Sequence, residues 1–299
     1  MRLIVHAGLH KTGSTYLQHV MNDNAALLSR QGVFYEPQPG YPAHHHAAWD
    51  LLRGDGGPVT RMLGAARAAG CHTTIFSSED LEGLIFDPQA VAALEATAAG
   101  QGVTEIEWHV CLRDPGAYFA SLYAQLQHHV YADAVALLCE VLRDGMVMIL
   151  DPLRGKPGTP YWCYCFDHDQ YLTAFAERSP HSLVAHDFRD AKPFPGWGVL
   201  AAAGVALDGL ALPDVAARNV RLPHSAVRDG FVARVLERVP DGADRGILTP
   251  LVAEHVERSL VAIDRYAALV GERFTPGMEA VLGRFGRSAP APARRSAAA

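Results

Sequence analysis

One turn near the start of this chain constrains its folding more than any other feature. Gly8-Leu9-His10-Lys11-Thr12-Gly13-Ser14-Thr15 follows directly on the apolar run Leu3-Ile4-Val5. The order reads as a strand, a glycine-bearing turn and the start of a helix. Such a turn points backbone N–H groups and a helix N-terminus into one small concavity, where a phosphate-like anion binds. The nucleotide-triphosphate loop G-x-x-x-x-G-K-[ST] carries its lysine after the last glycine. Here Lys11 precedes Gly13 and two hydroxyl residues follow. The cradle is therefore not the ordinary ATPase one. Taken alone, the same residues also suit a tight strand-to-helix turn with a solvated lysine.

The rest of the chain is organised to match. Short apolar or β-branched runs at Leu3–Val5, Thr73–Phe76, Ile106–Cys111 and Ser182–Ala185 are strand candidates, separated by helical patterns. That alternation predicts an α/β chain of three layers, a mainly parallel central sheet flanked by helices. Tyr16–Arg30 reads as the helix opened by the loop, with Gly32 as its stop signal. Pro88–Ala99 and Gly116–His129 each follow a proline near the first turn, where its missing N–H costs nothing. Ala226–Arg238 and Leu248–Leu269 are the last helical stretches. Asp144–Tyr164, broken by glycines and prolines, reads as a long surface loop of the kind that serves as lid or binding element. Residues 1–287 are expected to form one domain, and the Ala/Pro-rich tail 288–299 is expected to be disordered.

A second segment bears on the cradle. Ile106–Cys111 leads into Leu112-Arg113-Asp114-Pro115, with Ser121 and Tyr123 further on. Alone, Arg113-Asp114-Pro115 is a surface ion pair at a helix start. Together, K-T-G-S-T after one strand and R-D-P-x(5)-S-x-Y after another resemble the two cofactor motifs of the sulfotransferases that use 3′-phosphoadenosine 5′-phosphosulfate (PAPS). The likeness covers about the first half of the chain. It implies a P-loop-like sulfotransferase fold, PAPS as donor, no metal, and a carbohydrate or small-metabolite acceptor that offers a hydroxyl or amine.

The resemblance also distributes roles. Sulfuryl transfer is an in-line displacement in which the protein mainly positions groups and stabilises charge. Lys11 is placed against the bridging oxygen. Thr12, Gly13, Ser14 and Thr15 hold the 5′-phosphate, and Arg113 and Ser121 hold the 3′-phosphate. Asn219, after Arg218, matches a late segment that completes the pocket in some relatives.

An acceptor hydroxyl needs a base, and Glu79 ends the run Thr73–Ser78 as the catalytic glutamate does in heparan-type relatives. Those relatives carry a lysine next, whereas Asp80 stands here. Glu79 also suits a helix cap shared with Ser77 or Ser78. His10 resembles the histidine of the H-K-T-G form of the loop seen in many bacterial members and is a candidate catalytic base; as a plain loop residue it would bond to backbone. His44, His45 and His46 compete for the base role, since the phenol and steroid enzymes use a histidine. Three consecutive histidines cannot all converge on one metal.

Composition narrows the classes. The apolar fraction of 49% and charged fraction of 19% describe a globular chain. A net charge of −6 argues against a nucleic-acid binder. The cysteines form no disulfide framework in a chain this long, and Cys163-Tyr-Cys165 with His168 lacks the second ligand pair that zinc needs. The start Met1–Val5 leaves no room for a signal peptide and no run is long enough to cross a bilayer, so a cytoplasmic bacterial enzyme is expected. Two other functions fit less of the pattern. A Mg-dependent P-loop kinase or hydrolase would need a metal-holding aspartate, for which Asp187 or Asp80 is a candidate. A non-catalytic nucleotide-binding module would keep the fold alone.

Overall fold

The computed structural model describes residues 1–38, 40–129, 133–150, 161–190, 192–213, 222–239, 242 and 244–287. At its centre lies a five-stranded sheet of β1 (Arg2–His6), β2 (Val33–Phe34), β3 (Thr73–Ser77), β4 (Glu105–Leu112) and β7 (Ser182–Asp187), in the order β2-β3-β1-β4-β7. Every pairing in it is parallel. The expected α/β architecture, a parallel sheet flanked by helices, is what the described residues form.

Parallel strands need crossover helices, which cover both faces. On one face α1 (Ser14–Asp23), α2 (Ala25–Arg30) and α9 (Trp197–Ala202) pack Leu17, Val20, Leu28 and Leu200 against Ile4 and Ile75. On the other, α3 (His45–Leu52), α4 (Gly57–Ala68), α5 (Pro88–Gly100) and α8 (His168–Arg178) pack against Leu3, Val5, Phe76, Trp108 and Val110. Odd and even residues of β1 and β4 thus serve opposite layers, as the two-residue period of a strand requires.

Beside the sheet a helical group surrounds its own core. It holds α6 (Pro115–Gln125), α7 (Ala134–Asp144), α10 (His224–Leu236) and α11 (Asp244–Phe285), with Phe119, Leu122, Leu137, Phe231, Ile263 and Phe274 buried among them.

The structure corrects several sequence expectations. The helix expected over Tyr16–Arg30 is broken at Asn24, whose amide donates to the Val20 and Ala211 carbonyls (2.8 Å each) while its oxygen accepts from Ala211 N–H. Asn competes with the helical ladder for such backbone groups. The helix expected to end at Leu269 runs on to Phe285 despite Pro276, because Val270, Phe274, Met278 and Val281 bury an apolar face beyond that point. Packing outweighs propensity there. The flanks of the expected loop Asp144–Tyr164 are strands: β5 (Met146–Ile149) pairs antiparallel with β6 (Trp162–Cys165). Gly116–His129 is α6 followed by a 3₁₀ turn, Leu126–His129. The tail 288–299 and residues 151–160 lie outside the described residues.

Among the described residues, no helix is long and apolar enough to cross a membrane.

Candidate functional site

In an open parallel sheet, ligands bind beyond the carboxyl ends of the strands where the chain's crossovers diverge. Here β1 is central, with β3 on one side and β4 on the other, so the loops after β1, β3, β4 and β7 meet at one edge. The loop after β1 is tightly held. Gly8 carries no side chain because a Cβ there would lie 2.4 Å from His6 Nε2 and 2.9 Å from Ser14 Oγ. Gly13 takes the left-handed conformation (φ 82°) and is the N-cap of α1, with no side chain filling that helix end. Pro195 and Phe188, from the segment after β7, press close on Gly13 from outside, at 2.6 and 3.3 Å from its notional Cβ.

Lys11 is the one non-glycine residue with positive φ (62°) among the described residues. A lysine is rarely found there, and such backbone persists only where its surroundings enforce it. Arg113, at the end of β4, does so by donating from Nη1 to the Lys11 carbonyl at 2.9 Å. Two motifs a hundred residues apart are thereby joined, and the Arg113 guanidinium lies over the Phe188 ring at 5.3 Å. Asp114 meanwhile caps α6 through Ala117 N–H, and Thr275 donates to it as well, so it is a helix cap and not the ion-pair partner of Arg113. Lys11 is exposed, yet desolvation and then repulsion from Arg113 lower its pKa, with Glu79 acting in the opposite sense. A lysine less tightly protonated than usual and close to a second cation has an electrostatic demand for an anion.

The remaining loop residues divide. The Thr12 hydroxyl is spent inside the loop, donating to the Leu9 carbonyl at 2.5 Å, and Ser14 is buried beside it. Thr15 is exposed. Ser121 lies half-buried on α6. Asn219 lies outside the described residues.

The loop after β3 brings a dense carboxylate cluster against the cradle. Ser78 caps the 3₁₀ segment Glu79–Ile85 by accepting from Asp80 N–H. The cap is thus Ser78, and the Glu79 carboxylate is left for other partners. Gln18, one turn into α1 and fully buried, donates to Glu79 Oε2 at 2.9 Å and to Ser77 Oγ at 3.3 Å. His45 Nε2 faces the same oxygen at 4.0 Å. His45 Nδ1 donates to Asp80 Oδ2 at 2.7 Å, and Trp49 Nε1 donates there too at 2.6 Å.

His10 sits between two buried carboxylates, 2.9 Å from Glu82 Oε2 and 3.7 Å from Asp80 Oδ1. Burial alone would lower its pKa, but its bonds to Asp80 and Glu82 outweigh that and push it up to about 10. Asp80 is held well below the usual carboxylate range, its desolvation overcome by His10 and His45. His10 thus faces a carboxylate from each ring nitrogen, an arrangement that favours its protonated form, and is not a loop histidine bonded to backbone. His44 is buried, accepting from Ser77 N–H at Nδ1 (3.1 Å) and donating from Nε2 to the Glu36 carbonyl (3.0 Å). His46 is exposed.

Sequence reasoning missed a polar ladder on the α1–α9 face of the sheet. Glu107, His109 and Cys111 alternate along β4 with Trp108, Val110 and Leu112, and register sets His6 beside His109 and His186 beside Cys111. His109 lies 2.7 Å from His186 Nε2 and 3.2 Å from Glu107 Oε1. Glu107 in turn holds Arg2 and, at 2.8 Å, Arg287. A cleft beside the loop is lined by Thr12, Cys111, His186, Phe188, Trp197 and Arg287. The period-two alternation of Glu107 and His109 with apolar neighbours was the available signal. Gln18 had one too, lying four residues after Ser14 and so on the same helical face. Cys163 and Cys165 are buried in β6, and no group of three or more His, Cys, Asp or Glu among the described residues is arranged to hold a metal.

Comparison with protein-family models, with curated proteins and with solved structures found no match.

Proposed function

We propose that the chain is a PAPS-dependent sulfotransferase that moves a sulfuryl group to a hydroxyl of a small-molecule or carbohydrate acceptor. The observation that carries this reading is the Arg113–Lys11 contact. It joins the two motifs whose likeness to sulfotransferase loops suggested the function, and it does so beside a carboxylate at the end of β3. The P-loop-like sulfotransferase fold, the donor and the cytoplasmic, bacterial setting belong to this proposal.

Each residue has a task in it. The first turn of α1 and the backbone of Thr12 to Thr15 receive the 5′-phosphate, because an uncapped helix start offers N–H groups and a favourable dipole. Lys11 stabilises the negative charge that grows on the departing phosphate oxygen. Arg113 and Ser121 receive the 3′-phosphate, the guanidinium by two-pronged donation. Glu79 takes the proton of the acceptor hydroxyl. Among the described residues Gln18 and His45 both address Oε2, which leaves Oε1 for that hydroxyl. His10 is the least suited of the candidate bases, since both its nitrogens face carboxylates. It serves instead as the buried cation that lets Asp80 and Glu82 lie side by side.

The magnesium-dependent alternative is weaker for a local reason. Asp187 is engaged by Arg189, and Asp80 by His45 and Trp49, so each carboxylate it would recruit already has partners.

Thermal unfolding in the presence of 3′-phosphoadenosine 5′-phosphate tests the donor site. The ligand should raise the Tm without magnesium, and Lys11→Ala or Arg113→Ala should remove that rise. A normal rise in both variants would show the site to be elsewhere. Glu79→Gln should still bind the ligand but lose transfer by on the order of 10²- to 10⁴-fold; full activity would end its role as base.

A further inference from the structure

We propose that His45, gripped by Asp80, is the positioning residue and proton exit of the Glu79 base. This rests on the sulfotransferase reading above and adds to it a three-member unit, Glu79–His45–Asp80.

The geometry is directional. A carboxylate only accepts, so the Asp80 Oδ2 contact at 2.7 Å assigns the His45 proton to Nδ1. The neutral ring then presents the Nε2 lone pair to Glu79 Oε2 at 4.0 Å. Asp80 is itself immobilised by Trp49 Nε1 at 2.6 Å and through its own N–H to Ser78 Oγ at 3.2 Å. The His45 ring stacks on Trp49 (6.0 Å, 23°) and meets the edge of Tyr41 (6.3 Å). Its side chain is 26% exposed, against 13% for Glu79 and 6% for Asp80. Of the three groups, His45 has the widest opening to solvent. An acid buried against a helix and a loop needs such an exit if it is to be ready for the next turnover.

The steps balance. The acceptor oxygen attacks sulfur, and the bond from sulfur to the phosphate oxygen breaks with its electron pair on the phosphate. The hydroxyl proton passes to Glu79 Oε1. A half-turn of the carboxyl about Cγ–Cδ carries it to the His45 side. Glu79 is then a carboxylate again, with an imidazolium paired to Asp80, and the proton leaves from Nε2 to water. The groups facing His45 are Glu79 and Asp80 from the 3₁₀ segment, the Ser78 hydroxyl that caps it (3.0 Å from Nδ1, sharing that proton with Asp80), His10 from the loop, and Tyr41 ahead of α3. The two carboxylates prevail over burial and over His10 in raising its pKa.

The test uses the full chain, with kcat and acceptor KM followed against pH. His45→Ala should lower kcat by on the order of 10²-fold with KM unchanged, and added imidazole should restore part of it. Asp80→Asn should move the acid limb of kcat to lower pH, since the imidazole is then neutral over a wider range. An acid limb that superimposes on the wild type, or a His45→Ala variant whose only change is in KM, overturns the relay. In parallel, ¹⁵N NMR follows the His45 ring in the wild type, Glu79→Gln and Asp80→Asn. Its titration midpoint should fall in both variants; a midpoint that ignores the variants that fold overturns the unit. The sulfotransferase reading fails by a different sign, the absence of any Tm response to 3′-phosphoadenosine 5′-phosphate in the wild type. The NMR arm decides the His45 unit even then.

Discussion

Two sets of histidines in this molecule, interleaved in sequence at His6 and His10 and again at His44 and His45, have their pKa values moved in opposite directions. His10 and His45 face Asp80, Glu79 and Glu82, and both are raised in pKa. His6, His44 and His186 are buried like His10 and more deeply than His45, and are lowered to about 3, 4 and 3. Burial acts the same way on all of them, penalising the cation. What differs is the partner. His44 meets a backbone N–H and a carbonyl, which fix a neutral tautomer. His6 meets Ser77 Oγ and Cys111 Sγ. Only where two carboxylates converge is the pKa of the ring raised. The first set lies beside the cradle, where carboxylates favour the protonated ring; the second lies under the sheet edge and supplies a fixed, uncharged scaffold.

The largest effect that distinguishes the sets is the pH dependence of stability. His10 stays protonated up to about 10 against its ordinary 6.5, so its contribution is complete below 6.5 and is lost as pH rises toward 10. For His6, His44 and His186 the sense reverses. Their contribution is complete above 6.5 and is lost as pH falls toward 4 and then 3. At about 1.4 kcal/mol per unit, either set moves stability by several kcal/mol. Urea unfolding across pH should therefore give a plateau near neutrality with a decline on each side. A single decline, on the acid side only, would mean that His10 is neutral and the two sets are alike.

The next effect is local. Glu82 accepts from the His10 ring, from His10 N–H and from Cys165 N–H, and it has no exposed surface. Glu82→Gln leaves the His10 cation with Asp80 alone. Removing one partner of a buried ion pair costs about 3–5 kcal/mol, which chemical denaturation reads directly. A loss below about 1 kcal/mol would put this pair in the class of exposed ones.

How much of this was legible in the sequence follows from how local each signal is. The cradle was legible because its residues are contiguous and turn chemistry is local: Gly8, Lys11 and Gly13 act within one loop. The four main strands were legible from their apolar runs. Glu79 was found because it ends such a run, but its partners were not, since Gln18 and His45 reach it across 61 and 34 positions. The break at Asn24 was invisible for the same reason, its decisive bond being to Ala211. Two-residue β2 carries too few residues for a periodic signal, and β5 and β6 were hidden in a stretch rich in glycine and proline. The buried ladder was partly legible, because Glu107 and His109 share one strand face. Their conversion into a network depends on β7 and on Arg287, which only the fold brings near.

The smallest predicted effect probes the neutral set by steric means. Gly198, in α9, lies against His186, and a Cβ there would stand 2.3 Å from His186 Nδ1 and 2.6 Å from Cε1. The ring has little room to retreat, because its Nε2 is 2.7 Å from His109 Nδ1 and His109 in turn faces Glu107. Gly198→Ala should therefore cost about 1–3 kcal/mol as overpacking, although alanine is the better helix former by about 1 kcal/mol. The two contributions have opposite signs, so the measured value tests which one governs. A stabilised Gly198→Ala variant would mean that His186 swings freely, and the ladder would then be a loose set of rings. A destabilised variant whose Tm responds to 3′-phosphoadenosine 5′-phosphate as that of the wild type does would place the ladder in the scaffold, apart from the proposed site at Glu79, His45 and Asp80.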